Sequence, residues 1–70
     1  MELDARGLEP PQPMVRILEA LQSLPSDQCL LARTDRRPIH LYPMLADRGF
    51  EGETRETPPH GFVTVIRRRA

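Results

Sequence analysis

Hydrophobic and polar residues follow different periods along this chain, and each period predicts an element. Over 1–6, apolar residues alternate with charged ones, which is typical of a half-buried strand, and Gly7 ends that segment. Over 12–24, apolar residues recur at spacings of three and four, which places them on one face of a helix that Pro25 ends. The residues on that face are Met14, Ile17, Leu18, Leu21 and Leu24.

The middle of the chain predicts a strand and a second, interrupted helix. A short apolar run at 28–34 indicates a strand that is buried on both faces. Pro38 suits the first position of the following helix, and Asp35 could cap that helix. Pro43 interrupts the pattern, so either the helix is kinked or a short turn precedes a helix that begins at Pro43. The turn in the second alternative spans 38–41.

Two further strands complete the predicted fold. Gly49 ends the second helix, and a polar alternating segment at 50–57 predicts an exposed strand near an edge. After a turn at 58–61, the β-branched run at 62–66 predicts the last strand. The order β-α-β-α-β-β contains too few helices to cover both faces of a sheet. We therefore expect an α+β fold, a two-layer α/β sandwich that forms one domain over 1–70.

The composition of the chain mainly excludes classes of protein to which the chain could belong. The chain has 70 residues, with ten Arg, no Lys and ten acidic residues, so its net charge is zero. A single Cys cannot form an internal disulfide, and one Cys with two His is too few for an ordinary structural zinc site. Neither a membrane span nor a signal peptide is expected, because charges interrupt every apolar stretch. These features predict a cytoplasmic protein, and positive charge carried by Arg alone suggests a GC-rich bacterial gene.

The small size of the chain limits its core. A chain of about 60 residues buries only about 60% of the surface of its unfolded state. This chain must therefore pack nearly all its apolar residues or share them, which is a physical reason to consider a homodimer or a larger host. We expect Cys29 to be a small buried hydrophobe, and Phe50 and Phe62 to lie in the core.

The opening segment resembles a known family. From Leu3 to Met14 it reads Leu-Asp-Ala-Arg-Gly-Leu-Glu-Pro-Pro-Gln-Pro-Met, which is similar to the start of the TusA/SirA family of small sulfur carriers. That family has a strand, then Asp-x-x-Gly-Leu, a Cys-Pro-x-Pro signature and the first helix. Its element order and length also fit this chain, and its second helix resembles 35–43 with a slip of one residue. The matching residues are Asp4, Gly7, Leu8, Pro11, Pro13 and Met14.

The main departure from that family lies at its reactive cysteine, which falls on Pro10 here. The resemblance implies a thiol at a helix N-terminus, where the helix dipole favours the thiolate that accepts a persulfide. Proline has no nucleophile, and Glu9 adds a negative charge where the carriers often have Arg. We therefore expect no persulfide transfer by the usual route, no catalytic residue and no cofactor. The pattern Leu-Glu-Pro-Pro-x-Pro-Met is similar to an uncharacterised branch of TusA-like domains.

The predicted function is that of a non-catalytic protein-interaction or regulatory module, linked to sulfur or redox metabolism. Its partner is an unidentified protein, and neither a membrane nor a nucleic acid is the expected partner. The resemblance implies that the family's partner-facing surface is kept at the proline-rich segment and at the start of the second helix. The residues of this predicted surface are Glu9, Pro10, Pro11, Gln12, Arg36, Arg37 and His40.

Two alternatives from other classes stay open. One is a small-ligand or metal-binding accessory protein that uses His40 with Asp35 or Asp47, although solvated imidazoles are the simpler interpretation of His40 and His60. The other is weak RNA binding through the Arg clusters, which is an analogy from the shape of the fold alone.

Zero net charge and few stacking aromatics count against RNA. The chain also has no nucleophile elbow, no His-Glu-x-x-His and no Gly-rich phosphate loop, so we do not expect an enzyme.

Overall fold

The periodicities of the sequence produce six elements over residues 1–69, which are the residues that the computed structural model describes. The elements are β1 (Glu2–Asp4), α1 (Gln12–Gln22), β2 (Leu30–Thr34), α2 (Leu41–Asp47), β3 (Phe50–Glu56) and β4 (Phe62–Arg68). The strands form one mixed sheet in the order β1-β2-β4-β3, in which β1 pairs parallel with β2 and the other neighbours are antiparallel. This arrangement confirms the predicted α+β fold, and it confirms that β3 lies at a sheet edge.

Both helices pack on the same face of the sheet. The strand register places Leu30, Ile66 and Gly52 in one row across that face, and Ala32 and Thr64 in the next. Alternate residues point to the opposite face, which no helix covers within residues 1–69. The buried cluster therefore draws on both helices and on one face of the sheet. Its members are Ile17, Leu21, Leu24, Leu30, Ala32, Leu41, Leu45, Phe50 and Ile66.

The first helix follows its predicted apolar face but ends earlier than predicted. It ends at Gln22, and Leu24 is nevertheless buried as the chain leaves the helix. Pro13 lies in the first turn, where a backbone N–H has no intrahelical acceptor, so its missing donor costs nothing there. Of the predicted face, Met14 and Leu18 are only half-buried, because they lie at the margin of the sheet-covering surface.

The second helix resolves the alternatives that Pro43 left open. A turn precedes the helix, as its Leu41 N–H donates to the Pro38 carbonyl at 3.0 Å, but the helix begins at Leu41 instead of Pro43. Pro43 is thus the third helical residue and does not break the hydrogen-bonded interior. The predicted cap is wrong, since the side chain of Asp35 does not bond to this helix. Gly49 ends it with a φ of 79°, a left-handed conformation that favours glycine.

Three burial predictions are wrong, and the first two fail because the helices cover only one face of the sheet. Strand β2 begins at Leu30, and Leu30 points into the core, so Cys29 precedes the strand and is exposed. Arg33 is exposed on the open face as well, so β2 is not buried on both faces. Phe62 is half-buried and lies outside the core cluster, with the guanidinium of Arg37 above its ring at 5.1 Å.

A short row of hydroxyl groups crosses the inner face of the sheet beneath α2. Thr64 is fully buried, and its hydroxyl is 2.8 Å from that of Thr54. The hydroxyl of Tyr42 on α2 makes the next hydrogen bond, to Thr54. The row therefore satisfies a buried polar group and fixes α2 against β3 and β4, since an unpaired hydroxyl there would be costly.

Gly52 is the position at which α2 approaches the sheet most closely. A Cβ at Gly52 would lie 2.9 Å from Leu45 Cδ1 and 3.3 Å from Thr64 Cγ2. We predict that Gly52→Ala lowers the free energy of unfolding by about 1–3 kcal/mol, because it overpacks a closed core. Urea denaturation of Gly52→Ala, Leu45→Val and the double variant measures the effect. If the close approach is the cause, the cost of Gly52→Ala falls by more than about 0.5 kcal/mol in the Leu45→Val background.

Candidate functional site

The parallel pairing of β1 with β2 places the segments that follow both strands at one edge of the sheet. The carboxyl ends of parallel strands meet at the same edge, and each is followed here by a loop that leads into a helix. The two loops enclose an open cleft of about 610 Å³. Residues of the segment 8–14 form one wall, and residues 34–40 form the other. We call this feature the interhelix cleft.

The interhelix cleft brings together the two segments of the predicted partner surface. Six of the seven residues of the predicted partner surface line it. Gln12 does not line it, because Gln12 is the first residue of α1 and its N–H donates to the Glu9 carbonyl at 2.8 Å. Several other lining residues were not predicted from the sequence, and among them is Ile39, the most exposed large hydrophobic residue within residues 1–69. The sequence signal that could have identified Ile39 is its position between Pro38 and the start of a helix.

The two walls of the cleft are joined by one charge-assisted hydrogen bond. The N–H of Gly7 donates to Oδ2 of Asp35 at 2.6 Å. Gly7 has a φ of 79°, and this left-handed conformation turns its N–H toward the second wall. The same carboxylate faces the guanidinium of Arg6, whose pKa it helps to raise. Asp35 therefore acts as a link between the walls.

An ion pair before Gly7 fixes the start of the first wall. The guanidinium of Arg6 donates two hydrogen bonds to the carboxylate of Asp4, at 2.9 and 2.8 Å. The N–H of Arg6 also donates to Asp4, and together these bonds hold the pKa of the Asp4 carboxyl well below its ordinary range. Both side chains are about half exposed, so the pair orients the chain more than it stabilises it.

Positive charge in the cleft comes from the second wall. Arg36, Arg37 and His40 lie there, and Glu9 faces them from the first wall. The guanidinium of Arg37 stacks over the ring of Phe62 at 5.1 Å, a cation–π contact that restricts its motion. The hydroxyl of Thr34 donates to the Arg36 carbonyl at 2.7 Å and holds the backbone at the base of this wall. The guanidinium of Arg37 is thus partly ordered before any ligand arrives.

The rest of the cleft is apolar and stiff. Three prolines of the first wall and one of the second line it, and each fixes its own φ. Ile39 exposes 60% of its surface at the cleft. An exposed apolar residue beside rigid, proline-rich backbone and Arg side chains is typical of surfaces that bind other proteins.

The lone thiol is far from this cleft. Cys29 precedes the amino end of β2, whereas the cleft lies at the carboxyl end of β2, beyond Thr34. Five residues of extended chain span about 16 Å, at about 3.3 Å per residue. Cys29 therefore does not occupy the position at which a TusA-like carrier would hold its thiol, which is Pro10 in the cleft wall.

The metal-binding alternative receives little from the geometry. Within residues 1–69, no three side chains among His, Cys, Asp and Glu lie close enough to share a metal ion. His40 and Asp35 both line the cleft, whereas Asp47 and His60 do not. In that same part of the chain, neither helix has the length and apolar character that crossing a bilayer requires.

Comparison with known proteins defines the class of this fold. The structure of a SirA-like protein from Desulfitobacterium hafniense superposes on this chain with a TM-score of 0.82 and 24% sequence identity. The match covers 93% of this chain and 92% of the other, and it confirms the SirA/TusA-like fold that the opening segment predicted.

The family of this chain follows from its sequence. Residues 2–68 match the family described as "Uncharacterized conserved protein (DUF2249)", and the chain belongs to that family. No curated protein matches it significantly.

Removal of the link between the walls should loosen the cleft. We predict that Asp35→Ala speeds hydrogen exchange of the Gly7 amide by about tenfold, because a net hydrogen bond to a charged group contributes about 1.5 kcal/mol. Asp47→Ala is the matched control, since Asp47 is an exposed Asp outside the cleft. Exchange measured by NMR checks this, and equal Gly7 rates in both variants would contradict the assigned link.

Proposed function

We propose that this protein is a non-catalytic protein-interaction or regulatory module, linked to sulfur or redox metabolism, and that its partner binds in the interhelix cleft. The observation that carries the proposal is the composition of that cleft. The two segments of the predicted partner surface meet there, and they combine an apolar lining with a guanidinium, that of Arg37, held over the ring of Phe62. The position of the family's reactive cysteine is occupied by Pro10, which offers shape and no nucleophile.

The stiffness of the first wall favours binding. Pro10, Pro11 and Pro13 restrict the backbone before any partner arrives, so little conformational entropy is lost when the complex forms. The hydrogen bond between Gly7 and Asp35 restrains the second wall relative to the first. A preorganised surface of this kind suits recognition of a short segment of another protein.

The chemistry of the walls specifies the partner segment. Ile39 and the prolines require an apolar side chain, whose burial would remove water from both surfaces. Arg36 and Arg37 require a carboxylate, which a guanidinium can bind through two parallel hydrogen bonds. Glu9 on the opposite wall disfavours a carboxylate on its own side, so it gives the segment one orientation. The partner segment is therefore apolar with an acidic residue beside it.

The proposed link to sulfur or redox metabolism is supported by likeness and not by chemistry in the site. The fold is shared with a SirA-like protein, and six residues of the opening segment, from Asp4 to Met14, match the TusA/SirA pattern. A chain that keeps the partner surface and lacks the thiol would bind a sulfur-transfer partner without accepting sulfur. This combination favours a regulatory role, in which the protein controls such a partner by occupying its binding surface.

A matched pair of variants tests the cleft as the binding surface. We predict that Ile39→Asp lowers partner recovery about tenfold or more, because burying a side chain of this size contributes about 1.5–3 kcal/mol. Val15→Asp is the control, since Val15 is also an exposed aliphatic residue, at 43%, but lies on α1 outside the cleft. Quantitative mass spectrometry of affinity-purified complexes from the host measures recovery. Equal recovery of the partner with both variants would contradict the assignment of the cleft as the binding surface.

A small anionic ligand is the second candidate function for the same cleft. Its volume of about 610 Å³ lies within the range of small-molecule sites, and Arg36 and Arg37 offer donors for an anion. On this candidate, millimolar thiosulfate raises the melting temperature by about 2 °C or more, and Arg36→Ala abolishes the shift. Sulfate and phosphate at equal ionic strength are the controls. Identical shifts with all three anions would argue against a ligand site.

A further inference from the structure

A second surface, on the side of the sheet away from β1 and β2, carries an inference that goes beyond the proposed function. Strand β3 is an edge strand of seven residues, and it pairs with β4 residue for residue from Phe50 to Glu56. The one-to-one register leaves no bulge, and the strand contains no proline. Bulges and prolines are devices by which proteins prevent an edge strand from pairing with another chain.

The hydrogen bonds that flank β3 show which of its backbone groups are free. The Arg69 N–H donates to the Gly49 carbonyl at 2.9 Å, and the Thr57 N–H donates to the Gly61 carbonyl at 3.0 Å. Both bonds continue the register of β3 with β4, so the odd-numbered residues of β3 direct their backbone groups toward β4. The even-numbered residues direct theirs toward the open edge. They are Phe50, Gly52, Thr54 and Glu56.

The open face of β3 carries charged side chains of both signs, Glu51 and Glu53 followed by Arg55. Glu53 and Arg55 lie there at adjacent same-face positions, 3.6 Å apart between Oε1 and Nη2, and both are largely exposed. If the edge met a second copy in the antiparallel sense with Thr54 on the twofold axis, each Glu53 would lie opposite Arg55 of the other copy. These positions are the pairs without mutual hydrogen bonds, in which facing side chains come closest.

Other registers are less favourable. A shift that places Glu53 on the axis puts two Glu side chains directly opposite each other, and like charges at facing positions are destabilising. In the register centred on Thr54, Gly52 of one copy faces Glu56 of the other, and about six backbone hydrogen bonds join the two edges. The charged side chains and the free backbone groups of β3 therefore favour the same register, which is the one centred on Thr54.

The geometry points to a homodimer in which two copies of this chain join their β3 edges, antiparallel and centred on Thr54, into one eight-stranded sheet. Such an interface is isologous, since each copy contributes the same surface. The twofold axis is perpendicular to the sheet, so all four helices lie on one side. Each interhelix cleft lies at the β1–β2 side of its own copy, away from the axis, and stays open.

Charge reversal tests this arrangement directly. Sedimentation equilibrium on the full chain should show a mass that rises with concentration from the monomer value of 8.0 kDa toward twice that mass. Glu53→Arg and Arg55→Glu should each raise the dimer dissociation constant at least about tenfold, because each turns two attractive pairs into repulsive ones. The double variant, Glu53→Arg with Arg55→Glu, should return the constant to within about threefold of the original.

Glu51→Arg is the control for register, because Glu51 faces the uncharged Thr57 of the other copy in the proposed dimer. It should change the dissociation constant by less than about threefold, and circular dichroism checks that each variant is folded. A monomer at all concentrations overturns the proposal, as does failure of the double variant to restore association. A larger effect of Glu51→Arg than of Glu53→Arg overturns the register centred on Thr54.

Discussion

Burial of one face of the sheet by both helices is the constraint on which the rest of this molecule depends. Two short helices can cover a four-stranded sheet on one side, and the buried cluster draws on inner-face residues alone. The opposite face therefore carries Arg33, Glu53 and Arg55, and the half-buried Val63 and Val65. The same constraint explains why residues next to core positions, such as Cys29 beside Leu30, are exposed.

The parallel contact of β1 with β2 has a different role, because it builds the site. Three register pairs, from Glu2 with Leu31 to Asp4 with Arg33, bring two distant loops to one sheet edge. The bond from Gly7 to Asp35 then closes the arrangement at a sequence separation of 28 residues. The core and the site are thus held by different parts of the sheet: β4 lies within the core, whereas the site depends on the shortest strand.

Much of the fold could be predicted from local patterns. The face of α1 is read from spacings of three and four, and the left-handed Gly49 from its place after an apolar run. The start of α2 could not be predicted, because proline is tolerated at several positions of the first turn and the sequence alone does not choose among them. The half-burial of Phe62 could not be predicted either, because it depends on the end position of Phe62 in β4 and on Arg37, which covers its ring from across the fold. The segments of the cleft were predictable by composition and resemblance, but their meeting depends on long-range strand pairing.

The shortness of β1 has a further consequence for how the molecule responds to occupancy. With three residues in the ladder and one neighbouring strand, β1 has the shortest pairing of the sheet, so the position of the stiff first wall relative to the second depends on few contacts, among them the bond from Gly7 to Asp35. Anything bound between the walls holds the first wall against the second and thereby shifts the local opening equilibrium toward the closed state. The fluctuation of β1 and the affinity of the cleft for its ligand are therefore thermodynamically linked. A substitution in β1, remote from the ligand, changes that affinity because it changes the fraction of molecules in which the walls are closed.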